Sequence, residues 1–143
     1  MTTTPMRIVH CVRSPIGGIF RHIRDLAICQ SEAGHDVGLV CDSNTGSAFD
    51  NRLLEELKPR LALGIARFPM QRQLTVQDLT ATVSLYKHIR DLKPDILHGH
   101  GAKGGAYARL IGSVLRLRGQ KAARVYCPHG GSLHYDPNRF EGR

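Results

Sequence analysis

Apolar and polar positions change period several times along the chain, and each change marks an element. Met6 to Val12, MRIVHCV, is a short apolar run rich in branched residues, set between Pro5 and the Pro15 and Gly17 that follow, and predicts a buried strand. Ile19, Ile23, Leu26, Ala27 and Ala33 then recur at helical spacing, with Arg21, His22, Arg24 and Asp25 on the other face. Gly34 stops that amphipathic helix. Val37 to Cys41, VGLVC, predicts a second strand, and Asp42-Ser43-Asn44-Thr45-Gly46 a polar turn. A short helix is expected around Phe49 to Leu57, then a third strand over Leu61 to Phe68, weakened by Gly64 and ended by Pro69. Val76, Leu79, Val83, Tyr86 and Ile89 keep a 3.6-residue period through to Leu92, with Pro94 beyond, the strongest helix signal in the chain. Asp95 to His98 gives a very short fourth strand. A glycine-rich turn should lead from it into a helix over Ala106 to Leu117, with Leu110, Ile111, Val114, Leu115 and Leu117 on one face. Ala123 to Cys127, ARVYC, is the fifth strand.

Strands that are mostly apolar, alternating with helices of ten residues or more, require right-handed crossovers and a parallel sheet covered on both faces. The predicted fold class is therefore α/β, a Rossmann-like doubly wound parallel sheet. With the common order 3-2-1-4-5 the sheet reverses direction between the first and fourth strands, and ligands bind in the crevice at their carboxyl ends. The loops after the first, fourth and fifth strands should meet there.

Composition narrows the class. At 143 residues, 41% hydrophobic and 22% charged, the chain fits one domain around one core. Met1-Thr2-Thr3-Thr4-Pro5 has neither a basic nor an apolar leader region, and no run approaches the roughly 18 apolar residues of a membrane span, so a cytoplasmic protein is expected. Cys11, Cys29, Cys41 and Cys127 lack C-x-x-C spacing and three lie in predicted strands, which points to buried reduced thiols. Twenty Lys and Arg against 12 Asp and Glu leave a formal +8. Without zinc-finger spacing or an RNA-binding signature, that excess favours phosphorylated ligands or anionic lipid headgroups over nucleic acid. Its densest cluster, Arg116, Arg118, Lys121 and Arg124, also complements the negative end of a helix.

Three loops carry the chemistry. Arg13-Ser14-Pro15-Ile16-Gly17-Gly18 places paired glycines just before a helix start, where unpaired N–H groups face outward and a phosphate or sugar hydroxyl can approach closely; a tight turn needing positive φ is the plainer explanation. The pattern is not G-x-G-x-x-G, and Asp42 only comes near the place of a ribose-binding acid, so no nicotinamide dinucleotide is expected. In His98-Gly99-His100-Gly101-Ala102-Lys103-Gly104-Gly105 the two imidazoles should point to the same side, able to donate, accept or bind an anion, with Lys103 adding positive potential. Alternatively His98 bonds the backbone and the glycines only permit close helix packing. In Pro128-His129-Gly130-Gly131-Ser132-Leu133-His134, His129 stands at a strand end in the crevice, where it can act as acid or base or orient a leaving group. Ser132 and His134 divide evenly between contact and solvent. The histidine spacing fits no helix-based or finger zinc pattern and no neighbouring Cys or carboxylate completes a set, so no metal is expected; a G-x-S-x-G elbow is absent.

In combination, MRIVHCV with its Gly17-Gly18 loop, LKPDILHGHGAKGGAYARL from Leu92 to Leu110, and VYCPHGG from Val125 to Gly131 resemble the amino-terminal domain of family 4 glycosyltransferases, of the GT-B group, over nearly the whole chain. The resemblance implies retaining transfer of a sugar from a nucleotide sugar to a glycan or lipid-linked acceptor, usually in building lipopolysaccharide, capsule or glycolipid. It implies two Rossmann-like domains around a cleft, with the nucleotide sugar as co-substrate and neither metal nor other cofactor. It implies that Gly17 and Gly18 approach the donor phosphates, that His129 lies near the reacting sugar, and that His98, His100, Lys103, Gly130 and Gly131 line the acceptor side. It also implies that residues 1–143 are a single acceptor-side domain, truncated before the nucleotide-sugar domain and inactive alone, at the inner face of the membrane. The alternatives are a sugar-nucleotide epimerase-like GT-B enzyme, more distantly an NAD enzyme, and a non-catalytic module that binds anionic lipid or glycan through its basic surface.

Overall fold

The computed structural model describes residues 4–70 and 76–129. Its elements are β1 (Arg7–Val12), α1 (Gly17–Glu32), β2 (Asp36–Asp42), α2 (Ala48–Leu57) with a 3-10 turn over Lys58–Arg60, β3 (Gly64–Phe68), α3 (Val76–Leu92), β4 (Ile96–His100), α4 (Gly101–Leu117) and β5 (Ala123–Cys127). The four strand pairings among the described residues are parallel, as the alternation predicts, and the order is β3-β2-β1-β4-β5, the common one.

The core is two layers, one on each sheet face. Val9, Cys11, Val40 and Leu97 pack under Leu85 and Ile89 of α3 and Ala108, Ile111 and Leu115 of α4. Val12, Val37, Leu39 and Cys41 pack under Phe20, Ile23 and Ala27 of α1 and Leu54 and Leu57 of α2. Successive strand residues alternate between the layers, which is the period-2 signature of a sheet buried on both sides. Because His10 has the parity of Val12, its side chain lies on the α1 face, where it is wholly buried.

Several expectations are corrected. α4 begins at Gly101, directly after β4, and not at Ala106, so the run 101–105 is helix rather than a turn. Its glycines are there for contact. A Cβ on Gly104 would overlap the Cys11 carbonyl oxygen, and one on Gly99 would stand 2.6 Å from Gly105 Cα, so glycine alone lets α4 lie this close to β1 and β4. Likewise α1 begins at Gly17 itself, whose φ of +61° only glycine adopts freely. β3 starts at Gly64 rather than Leu61, because Lys58–Arg60 is spent on the 3-10 turn. The apolar stripe of α3 is buried at Leu85 and Ile89, while Val76, Leu79 and Val83 stay exposed; only the last turns of this helix reach the core layer. On α4, Leu110 and Leu117 face outward, and Ala108 takes a core place that the sequence pattern gives to neither. β5 is exposed along most of its length, as the sheet edge. The buried-thiol expectation holds for Cys11 and Cys41, and fails at Cys29, which is exposed on α1.

Candidate functional site

The sheet register sets the site. Val12, His100 and Cys127 are Cα partners at the carboxyl ends of β1, β4 and β5, and His10 and His98 are partners two residues below. His98 and His100 therefore project from the same face, as their spacing predicts, with ring centroids 4.1 Å apart and stacked. His10 comes against both, at 5.2 and 5.1 Å. His22 reaches in from α1, its ring 5.2 Å from that of His129. Five imidazoles from four elements thus form one cluster between the sheet and α1.

A continuous hydrogen-bond chain runs through it. His10 Nε2 is 2.8 Å from Gln30 Oε1, His10 Nδ1 is 2.9 Å from His100 Nε2, and His100 Nδ1 is 2.9 Å from His129 Nε2. An amide oxygen only accepts, so the direction is set at the Gln30 end. His10 donates from Nε2 and must accept at Nδ1; His100 donates that proton from Nε2 and must accept at Nδ1; His129 then donates from Nε2. The consequence is at the outer end, where His129 is left with Nδ1 as its lone-pair nitrogen.

Charge does not travel along this chain. Burial pushes His10 down to about 4 and His100 down to about 2, with neighbouring imidazoles adding to the effect at both. His98 and His129 are lowered by the same causes. An imidazolium at His10 or His100 is thus strongly disfavoured at neutral pH, and the chain fixes tautomers and ring orientation. His129 adopts a left-handed backbone, φ +53°, which is uncommon outside glycine.

The glycine loop lies on the same side. Gly17 and Gly18 open α1 five residues before His22, and no atom stands within 4 Å of where either side chain would be. Neither α1, after Ile16, nor α4, after His100, has a side-chain cap or an acidic residue in its first turn. By contrast α2, away from the β1–β4 reversal, has a full capping box between Ser47 and Asp50. The two helices flanking the reversal therefore keep backbone N–H donors available to an anion. Beyond Gly17, a depression of about 310 Å³ is lined by Phe20, Arg21, Arg24 and Phe49.

Asp42 is buried at the end of β2, where its Oδ1 accepts the Met70 backbone N–H at 2.8 Å. That bond ties the segment after β3 to β2, and removes the carboxylate from the place of a ribose ligand. Lys103 lies half-buried in the first turn of α4. Gly130, Gly131, Ser132 and His134 lie outside the described residues.

Sequence reasoning missed His10, His22, Gln30 and Cys127. His10 carried a readable signal, since with strand order 3-2-1-4-5 a histidine inside a buried strand falls opposite His98. Cys127 corrects the expectation that no thiol stands near the histidines: it is the register partner of His100.

A family model described as Glycosyltransferase Family 4 matches residues 16–143. None of the curated proteins matches the chain in sequence. Among solved structures, MurG of Acinetobacter baumannii is similar with a TM-score of 0.52 at 25% identity, over 76% of this chain and 32% of that one. CalG4, the calicheamicin glycosyltransferase, has a TM-score of 0.52 at 12% identity, over 94% of this chain and 34% of that one, a likeness of fold. The chain spans about a third of the length of either structure.

Proposed function

Because the chain belongs to Glycosyltransferase Family 4, we propose that it is the amino-terminal, acceptor-side domain of a retaining enzyme that moves a sugar from a nucleotide sugar to a glycan or lipid-linked acceptor. The observation that carries this reading is the placement of His129, hydrogen-bonded to His100 at the carboxyl ends of β4 and β5, with open space over Gly17 and Gly18 across the same crevice.

In this reading the donor phosphates rest against the first-turn amides of α1, where a side chain at Gly17 or Gly18 would obstruct them. His129, its Nε2–H held inward by His100, offers Nδ1 as an acceptor for a hydroxyl of the reacting sugar. A neutral imidazole suits that task, because it can exchange hydrogen bonds with a hydroxyl without bringing a full charge into the crevice. His98, Lys103, Gly130 and Gly131 belong to the acceptor side, while His100, buried with both ring nitrogens bonded, serves that side by holding His129. No cofactor is required; the nucleotide sugar is a co-substrate. The exposed Leu110 and Leu117 of α4, among Arg109, Arg116 and Arg118, favour contact with an anionic lipid surface at the inner face of the membrane.

Incubating the protein, with whatever second domain its reading frame carries, with a panel of nucleotide sugars and lipid or glycan acceptors tests this. Transfer with retained anomeric configuration is expected, and residues 1–143 alone should give none. An epimerised nucleotide sugar formed without acceptor would replace this reading with the epimerase alternative. Inversion at the anomeric carbon would remove the retaining mechanism.

A further inference from the structure

The mouth of the histidine cluster holds a donor set that sugar transfer does not call for. One nitrogen each of His22, His100 and His129 and the Sγ of Cys127 all lie within 4.8 Å of one another. Three parts of the fold bring them: α1 supplies His22, β4 ends on His100, and β5 ends on its register partner Cys127, two residues before His129.

We propose that His22, His100, His129 and Cys127 form a tetrahedral site for Zn²⁺. Zinc takes imidazole nitrogen at about 2.0–2.1 Å and thiolate at about 2.3 Å. Tetrahedral ligands at those lengths are roughly 3.3–3.6 Å apart, so separations of up to 4.8 Å close by at most about 1.5 Å, while the 2.9 Å pair of His100 Nδ1 and His129 Nε2 opens slightly. Side-chain rotation of His22, exposed on the helix surface, supplies part of that movement. Three imidazoles and one thiolate, with no carboxylate, are borderline-to-soft ligands that favour zinc, cobalt or copper over magnesium and calcium.

The proton balance is simple. Cys127 gives up its thiol proton to solvent as the metal–sulfur bond forms, so one proton leaves per ion bound. The His129-to-His100 hydrogen bond is replaced by two metal–nitrogen bonds, and the His129 proton moves from Nε2 to Nδ1. His100 ligates through Nδ1 while its Nε2–H stays on His10, which in turn stays on Gln30. Metal-bound histidines are regularly oriented by such a bond from the other ring nitrogen. A second grouping, His10 with His98 and His100, is the weaker candidate, because it offers three donors and no thiolate, and its His10 is wholly buried inside β1.

Binding does not depend on the transferase reading, and its test is independent of activity. The full chain, stripped with EDTA, is titrated with Co²⁺. The expected result is one equivalent bound, with an intense near-ultraviolet thiolate-to-cobalt charge-transfer band and visible bands of tetrahedral strength, both lost when one equivalent of Zn²⁺ is added. Cys127→Ser should abolish the charge-transfer band while its circular dichroism matches the parent. His22→Ala, an exposed position, should weaken Zn²⁺ affinity at least tenfold. A pale octahedral cobalt spectrum, or a charge-transfer band that persists in Cys127→Ser and disappears in Cys29→Ser, would overturn the site. If the transferase reading holds as well, bound zinc takes the His129 ring away from substrate, so micromolar Zn²⁺ should inhibit and EDTA restore transfer. Absence of inhibition with the cobalt result intact would count against the role of His129 and leave the metal site standing.

Discussion

At the scale of single residues, burial decides what each polar group can do. His10 is fully buried in the middle of β1, and it is tolerated because both of its ring nitrogens are bonded, one to His100 and one to Gln30. Gln30 holds the end of that chain. Gln30→Ala leaves the His10 Nε2–H without an acceptor and should cost about 1–3 kcal/mol, read as a lower urea midpoint at unchanged slope. An unchanged midpoint would show that the chain is not anchored there. The thiols divide by the same logic. Burial pushes Cys11 up to about 12 and Cys41 up to about 11, so neither forms thiolate near neutral pH. Iodoacetamide at pH 8 should modify Cys29 in the native protein and reach Cys11 and Cys41 only in denaturant, as peptide mass mapping can read. Rapid native labelling of Cys11 would contradict the packing of β1 under α4.

At the scale of elements, the period of apolar residues was enough to find the five strands and four helices of the described residues, with β3 begun three residues early and β4 ended two residues short at His98, while the strand order came from the common topology. The periodic reading misplaced the start of α4 by five residues, because glycine density read as a turn where it marks contact. What distinguishes the two is what a Cβ would strike, and a sequence holds no such distance. Gly104 and Gly18 show the contrast. At Gly104 a methyl group meets the Cys11 carbonyl, so Gly104→Ala should destabilise by about 1–3 kcal/mol. At Gly18 nothing stands near and φ is not in the left-handed region, so Gly18→Ala should leave stability unchanged or raise it by up to about 1 kcal/mol. The same change should raise KM for the nucleotide sugar about tenfold or more by intruding on the phosphates. Thermal melts beside donor-saturation kinetics separate these effects, and an unaltered KM would remove Gly18 from the donor site. The histidine cluster was half legible: His98, His100 and His129 stand out in the sequence, although as loop histidines where the structure puts His98 and His100 inside β4, and their partners His10, His22 and Cys127 emerge only once register and helix placement are known.

At the scale of the whole molecule, the formal +8 and the outward leucines of α4 belong to one account. No helix among the described residues is long and apolar enough to cross a membrane. Arg116→Glu with Arg118→Glu reverses two charges beside Leu117. Each basic residue near an anionic surface contributes about 1 kcal/mol, so the double variant should sediment with phosphatidylserine-containing vesicles at least tenfold more weakly. Raising salt should have the same effect on the parent protein. Sedimentation indifferent to both would withdraw the membrane from the list of partners. The chain belongs to Glycosyltransferase Family 4, and the proposal for its site turns on His129, hydrogen-bonded to His100. The most direct test is kcat/KM for sugar transfer by the protein in its full reading frame, measured for the parent and for His129→Ala at equal thermal stability. The account predicts a fall of about 10²- to 10⁴-fold; a rate within twofold of the parent would contradict it.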